Sequence, residues 1–540
     1  MRVGPHGSRR FAITAAAIFT ALALVAGACG SKGSSSGAPA DTVANEGTPT
    51  PGGTLKVGIT SDTDGYNAAT NRWDPLGNLV GSSIYDTLTK WDQNRKIQPY
   101  LAKSVTPDAT GTVWTISLRP GVNFQDGTPL DGAAVKLNID TRRNDAIAGG
   151  ALEPISEVTV KDASTVVVTM KRPWFAYDAT LAAQGGYMVA PATINDPNGS
   201  QHPIGTGPFS FVSWTPGSSI KVKKNPTYWQ AGQPYLDGID FSIVPDQSAL
   251  VSALRAGDVD LAMTDDAGSI KTVRADSDIR SIEDPVSETT YVQVQEAAPP
   301  FNNKHARAAL AYATDQQQVL DVVGQGVGEV ATSPYSTKSP WAVADTKYLN
   351  YDIAKAKDEL ALYTQETGQP GLNFTLRFTV GGAFPKVAET LQAQWAQAGI
   401  TTTLQADQSA SFLADTFFGK FEAELFRNFG YVNPDSNYLF WHSSQAKGIG
   451  TGSINFTQTK LPAVDAGLDS ARATGDDAAR KRDYDQVQQA LNEELPYIWL
   501  YHNVWALAAR PNVGGLGEAQ ALGFGRTDAK TWWPGVWLKS

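Results

Sequence analysis

The chain has 540 residues, of which 41% are hydrophobic, and this length predicts two or three domains rather than one core. Its formal net charge of −10 argues against a nucleic-acid partner. The only cysteine is Cys29, close to the N-terminus. The folded part beyond it can therefore contain no disulfide, thiolate metal site or cysteine nucleophile.

The N-terminal segment has the pattern of an export signal. Basic residues precede an uncharged apolar stretch at 11–28, and small residues come directly before Cys29. This order is typical of a lipoprotein signal, so we predict a signal peptide at 1–28 and lipid attachment at Cys29. A Gly-, Ser- and Pro-rich tether follows at 29–53. A plain secretory signal is the alternative, and both the general and the twin-arginine export routes stay open.

The first half of the chain is predicted to be rich in strands. Alternating apolar and polar residues predict strands at 54–59, 112–118, 158–160, 165–170, 209–214 and 219–223. From about residue 250 helical spacing appears, interrupted by a predicted strand at Val259–Ala262. Asp315, with Gln318 three residues later, predicts the start of a further helix.

The second half contains a predicted β-α-β unit. Residues 374–380 alternate, a helix follows from Pro385, Gly399 ends that helix, and alternation resumes at 400–404. Such a unit implies a parallel strand pair. A long helix at 478–493 and an apolar strand at 497–501 complete a mixed α/β chain with more than one lobe.

The sequence contains no catalytic or metal-binding pattern that predicts chemistry. There is no phosphate-binding P-loop or H-E-x-x-H motif, and no histidine has a second histidine three or four residues away. We therefore predict no catalytic residue, no metal, no cofactor and no enzyme activity. The acidic pairs Asp265–Asp266 and Asp476–Asp477 are predicted to lie in solvated loops.

A series of motifs in order resembles one family, the extracellular solute-binding proteins of the dipeptide, oligopeptide and nickel type (family 5). These proteins are the binding components of ABC importers. The resemblance covers nearly all of residues 54–515. The motifs are LRPGVNFQDGTPL at 118–130, GTGPF at 205–209, NPTYW at 225–229, AGDVD at 256–260 and RAALAYATD at 307–315. Within the first motif, Arg119 and Asp126 are expected to form a structural pair.

The resemblance implies a two-lobed, periplasmic-binding-protein-like α/β fold of the three-domain type (type II), with a hinge of two strands and an extra β-rich insert. The expected domains are lobe I at 54–80, 204–289 and 501–540, its insert at 81–203, and lobe II at 290–500. The hinge strands are expected near 291–294 and 499–501.

The resemblance also places the ligand site in the stretch Phe426–Asp435. The expected ligand-binding residues are Arg427, Asn428, Phe429, Tyr431, Asn433 and Trp441. Gly430 stands where peptide-binding relatives carry the aspartate that holds the peptide's ammonium group, so that ion pair is missing. Neutral amides with aromatic faces suit sugars or amide-rich ligands, and an arginine suits a carboxylate or a chelated-metal anion. The alternatives are a salt bridge within lobe II for Arg427 and core packing for Phe429 and Trp441.

The leading prediction is a monomeric solute-binding lipoprotein, anchored to the outside of the cell membrane, in the periplasmic space or its equivalent. It would close its lobes on a peptide-like solute and deliver that solute to an ABC permease. An oligosaccharide or nickel-chelate cargo is the first alternative, and a secreted hydrolase or a ligand-sensing lipoprotein is the second. The substitution Arg427→Ala is expected to weaken ligand binding without unfolding the protein.

Overall fold

The structure is a computed structural model that describes residues 47–145, 149–429 and 432–539. Its strands are β1 (Thr54–Ile59), β2 (Thr89–Trp91), β3 (Ile97–Pro99), β4 (Ala102–Pro107), β5 (Val113–Leu118), β6 (Ile155–Asp162), β7 (Thr165–Met170), β8 (Phe209–Thr215), β9 (Ser219–Lys224), β10 (Gly238–Ile243), β11 (Leu261–Thr264), β12 (Arg280–Val294), β13 (Glu329–Val330), β14 (Asn373–Thr379), β15 (Thr401–Asp407), β16 (Ala423–Phe429), β17 (Tyr497–Ala509), β18 (Val513–Gly514) and β19 (Trp537–Leu538).

Its α-helices are α1 (Pro75–Ile84), α2 (Gly132–Asn144), α3 (Tyr177–Thr180), α4 (Pro191–Asn195), α5 (Gln247–Ala256), α6 (Ala267–Arg274), α7 (Lys304–Tyr312), α8 (Gln316–Gly324), α9 (Ile353–Thr367), α10 (Phe384–Ala398), α11 (Ser409–Phe417), α12 (Tyr438–Trp441), α13 (Pro462–Arg472), α14 (Asp477–Glu494) and α15 (Gly517–Leu522). Short 3-10 helices lie at Gly149–Leu152, Gln184–Gly186, Pro434–Asn437, Ser443–Gln445 and Trp533–Gly535.

The largest sheet joins strands from both halves of the chain. Its order is β15-β14-β16-β12-β17-β11-β1-β10-β9-β8, with β13 also pairing β17. The central pair, β12 and β17, is antiparallel, and Tyr291 lies opposite Trp499. The register of this pair is interrupted between Asp284 and Glu288. The two predicted hinge strands thus lie side by side in the central pair, and their role as a hinge stays a prediction.

Buried apolar side chains form three large cores. The first core draws on residues 55–85, 187–282 and 505–536. The insert core draws on 88–190. The second core draws on 291–501. The predicted domain boundaries fall close to the limits of these cores, and the division into domains stays a prediction.

Aspartate side chains begin many of the helices, since a carboxylate can accept the backbone N–H groups left unpaired in the first turn. Asp131 accepts from Ala134 N at 2.9 Å before α2. Asp315 accepts from Gln318 N at 3.0 Å before α8. The helix start predicted at Asp315 is therefore confirmed.

The predicted β-α-β unit is confirmed. β14 and β15 pair in parallel, and α10 connects them. The helix ends at Gly399, whose φ of 92° lies in the left-handed region that glycine adopts at low cost. β17 is longer than the strand predicted at 497–501. It is buried along almost its whole length, so its later residues read as a continuous apolar run rather than an alternating pattern.

Two local predictions were wrong in position or environment. The strand predicted at Val259–Ala262 is β11, two residues further on. The pair Asp265–Asp266 is not a solvated loop. Asp266 accepts from Ser269 N at 2.7 Å as the N-cap of α6, and Asp265 forms an ion pair with Arg427. The sequence around these two aspartates does not show that Asp266 caps a helix or that Asp265 has a partner 162 residues away.

The predicted pairing of Arg119 with Asp126 was also wrong. Arg119 Nε donates to Tyr100 O at 2.5 Å, and its guanidinium lies over the Trp229 ring. Asp126 accepts instead from the hydroxyl of Thr128, two residues later, at 2.6 Å. The short turn gives the carboxylate a closer donor than the arginine.

The end of the predicted tether is held on the folded body. Thr50 Oγ1 donates to Leu538 O at 2.6 Å, and Gly53 N donates to Asp237 at 3.0 Å. The predicted signal peptide and Cys29 lie outside the described residues. Among the residues that the structure describes, no helix is both long enough and apolar enough to cross a membrane.

Glu424, on β16, gives the second core a predicted pH dependence. Its side chain is fully buried and accepts from Gln293 at 2.6 Å and Thr416 at 3.1 Å. Burial raises the pKa of Glu424 from 4.5 to about 8. Folding therefore takes up a proton between these two values, and this group's contribution to stability falls as the pH rises from 4.5 to 8.

We expect Glu424→Gln to gain stability relative to the wild type as the pH rises through that window, because the neutral amide never has to be charged. Urea unfolding at half-unit pH steps from 5 to 8.5 would measure the difference. The exposed Glu389→Gln on α10 is the matched control. If the free energies of unfolding of Glu424→Gln and Glu389→Gln changed with pH in the same way, the assignment of the pH dependence to Glu424 would be contradicted.

Candidate ligand-binding site

A cavity lies where the central strand pair meets residues of the first and second cores. We call it the central cavity. It contains about 480 Å³ of empty space, partly open to solvent. Its polar lining consists of Arg95, Glu288, Thr289, Tyr335, Ser336, Ser339, Asn428, Asn437, His502 and Arg526. Both charged and neutral polar groups therefore converge on one partly open space, as expected of a small-molecule site.

Arg427 lies on β16 and forms ion pairs with two acids from other parts of the chain. Its Nη1 is 2.6 Å from Asp265 Oδ2 and 3.4 Å from Glu288 Oε2. Burial alone would lower the pKa of Arg427, but the carboxylates of Glu288 and Asp265 hold it above its ordinary value. Burial raises the pKa of Glu288 to about 8, although Arg427 opposes the shift. The guanidinium is thus engaged by protein acids, one of which lines the central cavity.

Asn428 is the predicted site residue that lines the central cavity. Its Nδ2 donates to Asn437 Oδ1 at 2.6 Å, and Asn437 Nδ2 donates to the Tyr335 hydroxyl at 2.8 Å. This chain of neutral hydrogen bonds orients the two amides toward each other and leaves further acceptor and donor capacity for a ligand. Asn428 therefore lies in the wall of the candidate site, and its role in ligand binding stays a prediction.

Asn433 and Trp441 lie away from that lining. Asn433 accepts from Arg480 Nη2 at 2.7 Å and, as an N-cap, from Asp435 N at 3.0 Å. Trp441 is buried in the second core, and its ring centroid is 6.3 Å from that of Tyr335. The contacts of Asn433 and Trp441 are those of structural residues. Core packing was the alternative interpretation of Trp441.

Phe429 and Tyr431 cannot be placed in the site in the same way. The backbone of Phe429 pairs with Glu288 at the end of β16. Tyr431 lies outside the described residues. The predicted contacts of these two aromatic side chains stay a prediction.

His502 faces the central cavity as a neutral group. Burial lowers its pKa to about 4, although the nearby Glu329 opposes the shift. Thr289 Oγ1 donates to Pro334 O at 2.9 Å and lies 2.8 Å from His502 Nδ1. Because the hydroxyl has only one hydrogen, both contacts are hydrogen bonds at the same time only in the tautomer of His502 that carries its proton on Nδ1.

A second cavity, with about 610 Å³ of empty space, lies beside Asp435. Asp435 accepts two hydrogen bonds from Arg472, at 2.7 and 3.1 Å, and one from Trp174 Nε1 at 2.9 Å. Trp174 belongs to the insert core. The guanidinium of Arg472 also lies 3.4 Å from the centroid of the Tyr438 ring. These contacts join the insert core to the segment that precedes α12.

Most of the residues that line the central cavity were not predicted from the sequence. Glu288 and His502 lie next to the two predicted hinge strands, so a polar residue beside an apolar strand was the available signal. The sequence had no such signal at Arg95 and Arg526, since each lies in a loop, where an arginine is ordinarily solvated. Among the residues that the structure describes, no group of three or more His, Cys, Asp or Glu side chains is placed to hold a metal ion.

The mixed α/β fold and the polar cavity beside two long central strands define a ligand-binding protein. A family model, "Bacterial extracellular solute-binding proteins, family 5 Middle", matches residues 96–450. The chain therefore belongs to this family of extracytoplasmic binding proteins of ABC importers. Family membership confirms the predicted fold class and associates the chain with a permease partner.

The chain is similar to curated relatives over most of its length. It is 28% identical over 476 residues to the glutathione-binding protein GsiB of Salmonella paratyphi A, covering 84% of this chain and 90% of that relative. It is also 28% identical over 477 residues to GsiB of Pectobacterium atrosepticum, covering 83% of this chain and 87% of the relative.

Solved structures share the fold. The oligopeptide-binding protein AppA from Bacillus subtilis, in complex with a nonapeptide, has a TM-score of 0.79 and 24% identity, covering 91% of this chain and 100% of AppA. The periplasmic binding protein DppA from Helicobacter pylori, in complex with the peptide STSA, has a TM-score of 0.80 and 22% identity, covering 91% and 99%. At these identities the likeness concerns the fold.

Proposed function

We propose that this protein binds a short peptide or peptide-like solute in the central cavity and delivers it to an ABC permease. The observation that carries the proposal is the central cavity itself, where polar groups from the first core, the central strand pair and the second core surround one space. Curated relatives named for glutathione binding, a peptide-like solute, support the same cargo class.

The chemistry of the cavity suits an amide-rich ligand. Asn428 and Asn437 offer neutral amides, and Tyr335 adds a hydroxyl. Peptide groups carry one donor and one acceptor each, so a lining of neutral donors and acceptors can pair them without burying an uncompensated charge. Of the six ligand contacts predicted from the sequence, we propose Asn428 as the direct one, while the other five stay predictions.

We also propose that the protein is a monomer attached to the outer face of the membrane through a lipid on Cys29, and that its role is binding rather than catalysis. The signal-like pattern before Cys29 supports the anchor. The family is one of binding proteins, which supports the absence of turnover.

Native mass spectrometry of the protein from about Asp41 onward, followed by denaturing analysis of released molecules, tests the cargo. We expect masses of short peptides or glutathione. Hexose-spaced masses or a metal chelate would replace the peptide with another cargo. Turnover of a peptide by the purified protein would contradict the binding role. The mass of the N-terminal fragment from membrane-extracted protein tests the anchor. The proposal requires that this fragment carry the added mass of a diacylglycerol group on Cys29.

A further inference from the structure

Two arginines reach the central cavity, Arg95 from within the span of the insert core and Arg526 from within that of the first core. Arg95 lies in the turn between β2 and β3, and Arg526 lies in the segment after α15. Arg95 is half-buried. Within residues 47–145, 149–429 and 432–539, its guanidinium forms no hydrogen bond or ion pair. A guanidinium at a cavity wall with an acid, Asp284, nearby but no hydrogen bond to it is uncommon, since buried arginines are ordinarily paired.

Arg526 is only partly satisfied by the protein. Its side chain is 4% exposed, and its Nη2 is 3.3 Å from Asp284 Oδ1. Its Nε is buried without a hydrogen-bond partner. The other oxygen of Asp284 already accepts from the backbone N–H groups of Phe524 at 3.1 Å and Gly525 at 3.3 Å. Asp284 Oδ1 also accepts from Val286 N at 3.3 Å, so one carboxylate serves Arg526 and three amides at once.

The electrostatic balance of this wall is positive. The pKa of Arg95 is lowered by burial and by repulsion from Arg526, while Asp284 opposes the shift. The acid that lines the cavity, Glu288, lies 3.4 Å from Arg427 Nη1. His502 is neutral at pH 7, because its pKa is lowered to about 4. An anion entering the cavity would therefore find two guanidiniums and one shared carboxylate.

We propose that Arg95 and Arg526 form an anion-binding subsite that takes a carboxylate of the bound solute. The planar guanidinium presents paired N–H donors that match the two oxygens of a carboxylate. The substrate class is then a peptide or peptide-like acid with a free carboxylate, and neutral amides of the same peptides are disfavoured. This inference rests on the proposed function, since it concerns the same cavity and cargo.

Calorimetric titration of the purified protein with trialanine and with reduced glutathione tests the subsite. Each probe is used with its carboxylates free and with each carboxylate converted in turn to an amide. We expect amidation of one carboxylate to weaken binding by about tenfold or more, as for the loss of a charge-assisted hydrogen bond. Equal affinities for the acids and all their amides would overturn the subsite but leave peptide binding intact.

Arg95→Gln is the first variant, because Arg95 lies in a turn and its guanidinium forms no hydrogen bond or ion pair with the residues that the structure describes. We expect about tenfold weaker binding of the free acid, little change for the amide, and partial recovery in Arg95→Lys. Arg482→Gln, an exposed arginine on α14, is the matched control and should bind as the wild type. An equal loss for acid and amide would show that Arg95 acts on the fold alone and would overturn the subsite.

The two proposals fail in different ways. A wild-type protein that binds neither trialanine nor glutathione in any form would contradict the peptide cargo and, with it, this subsite. A wild-type protein that binds these probes without preference for the free acid would contradict only the subsite. Arg526→Lys, which keeps a charge beside Asp284, should lower the preference for the acid if the variant folds as the wild type does by circular dichroism.

Discussion

Replacing Asp435 by alanine is expected to lower the free energy of unfolding by about 3–5 kcal/mol, the usual cost of leaving one member of a buried ion pair without its partner. Arg472 is 4% exposed and Asp435 is 5% exposed, so bulk water has little access to the guanidinium that loses its carboxylate. The change also removes the acceptor for Trp174 Nε1. Urea unfolding of the purified chain measures the effect.

The matched control for this substitution is Asp345→Ala. Asp345 pairs with Lys347, but these side chains are 64% and 60% exposed. Ion pairs of this kind contribute about 0–1 kcal/mol, so the control should unfold close to the wild type. Asp435→Asn should fall between the two, since the amide keeps the volume and one acceptor. Similar losses for Asp435→Ala and Asp345→Ala would contradict the structural role of the buried pair.

Replacing Arg427 by methionine is expected to lower the free energy of unfolding by about 2 kcal/mol, less than the loss at Asp435. The smaller loss has two causes. The Arg427 side chain is 31% exposed, and Glu288, whose pKa is raised to about 8 even beside Arg427, is largely protonated at pH 7 and leaves no buried charge when the arginine is removed. Asp265 then remains as the carboxylate without its partner Arg427.

A double-mutant cycle with Asp265→Asn isolates the pair. We expect a coupling energy of about 1–2 kcal/mol between Arg427 and Asp265. The exposed pair Lys96–Asp477, whose side chains are 64% and 62% exposed, is the control cycle and should couple more weakly. Zero coupling at Arg427 would contradict an ion pair between β16 and the loop after β11.

The same variant decides between two roles for Arg427. The sequence predicts weaker ligand binding without unfolding, whereas the observed ion pairs predict a loss of stability. Affinity for trialanine and stability in urea, measured on one preparation of Arg427→Met, separate the two. A stability loss with unchanged affinity assigns the arginine to the fold. A tenfold loss of affinity with unchanged stability assigns it to the ligand.

The sequence predicted those parts of the fold whose causes are local. The strand-helix-strand unit at 374–404 follows from apolar spacing and from Gly399, whose conformation is a property of that residue. The helix start at Asp315 follows from a carboxylate three residues before the N–H that it accepts. In each case the interacting groups lie within a few residues of each other, so the local sequence is enough to predict the structure.

For the candidate site, the family resemblance in the sequence predicted the stretch 426–435, and Asn428 of that stretch lines the central cavity. The partners of the charged residues could be found only in the folded structure. Arg427 meets Asp265 and Glu288 from 162 and 139 residues away. Arg95 and Arg526 meet at one cavity wall from loops near opposite ends of the chain. A charged side chain in a loop is solvated by default, and only the folded arrangement of strands and loops buries it and selects its neighbours.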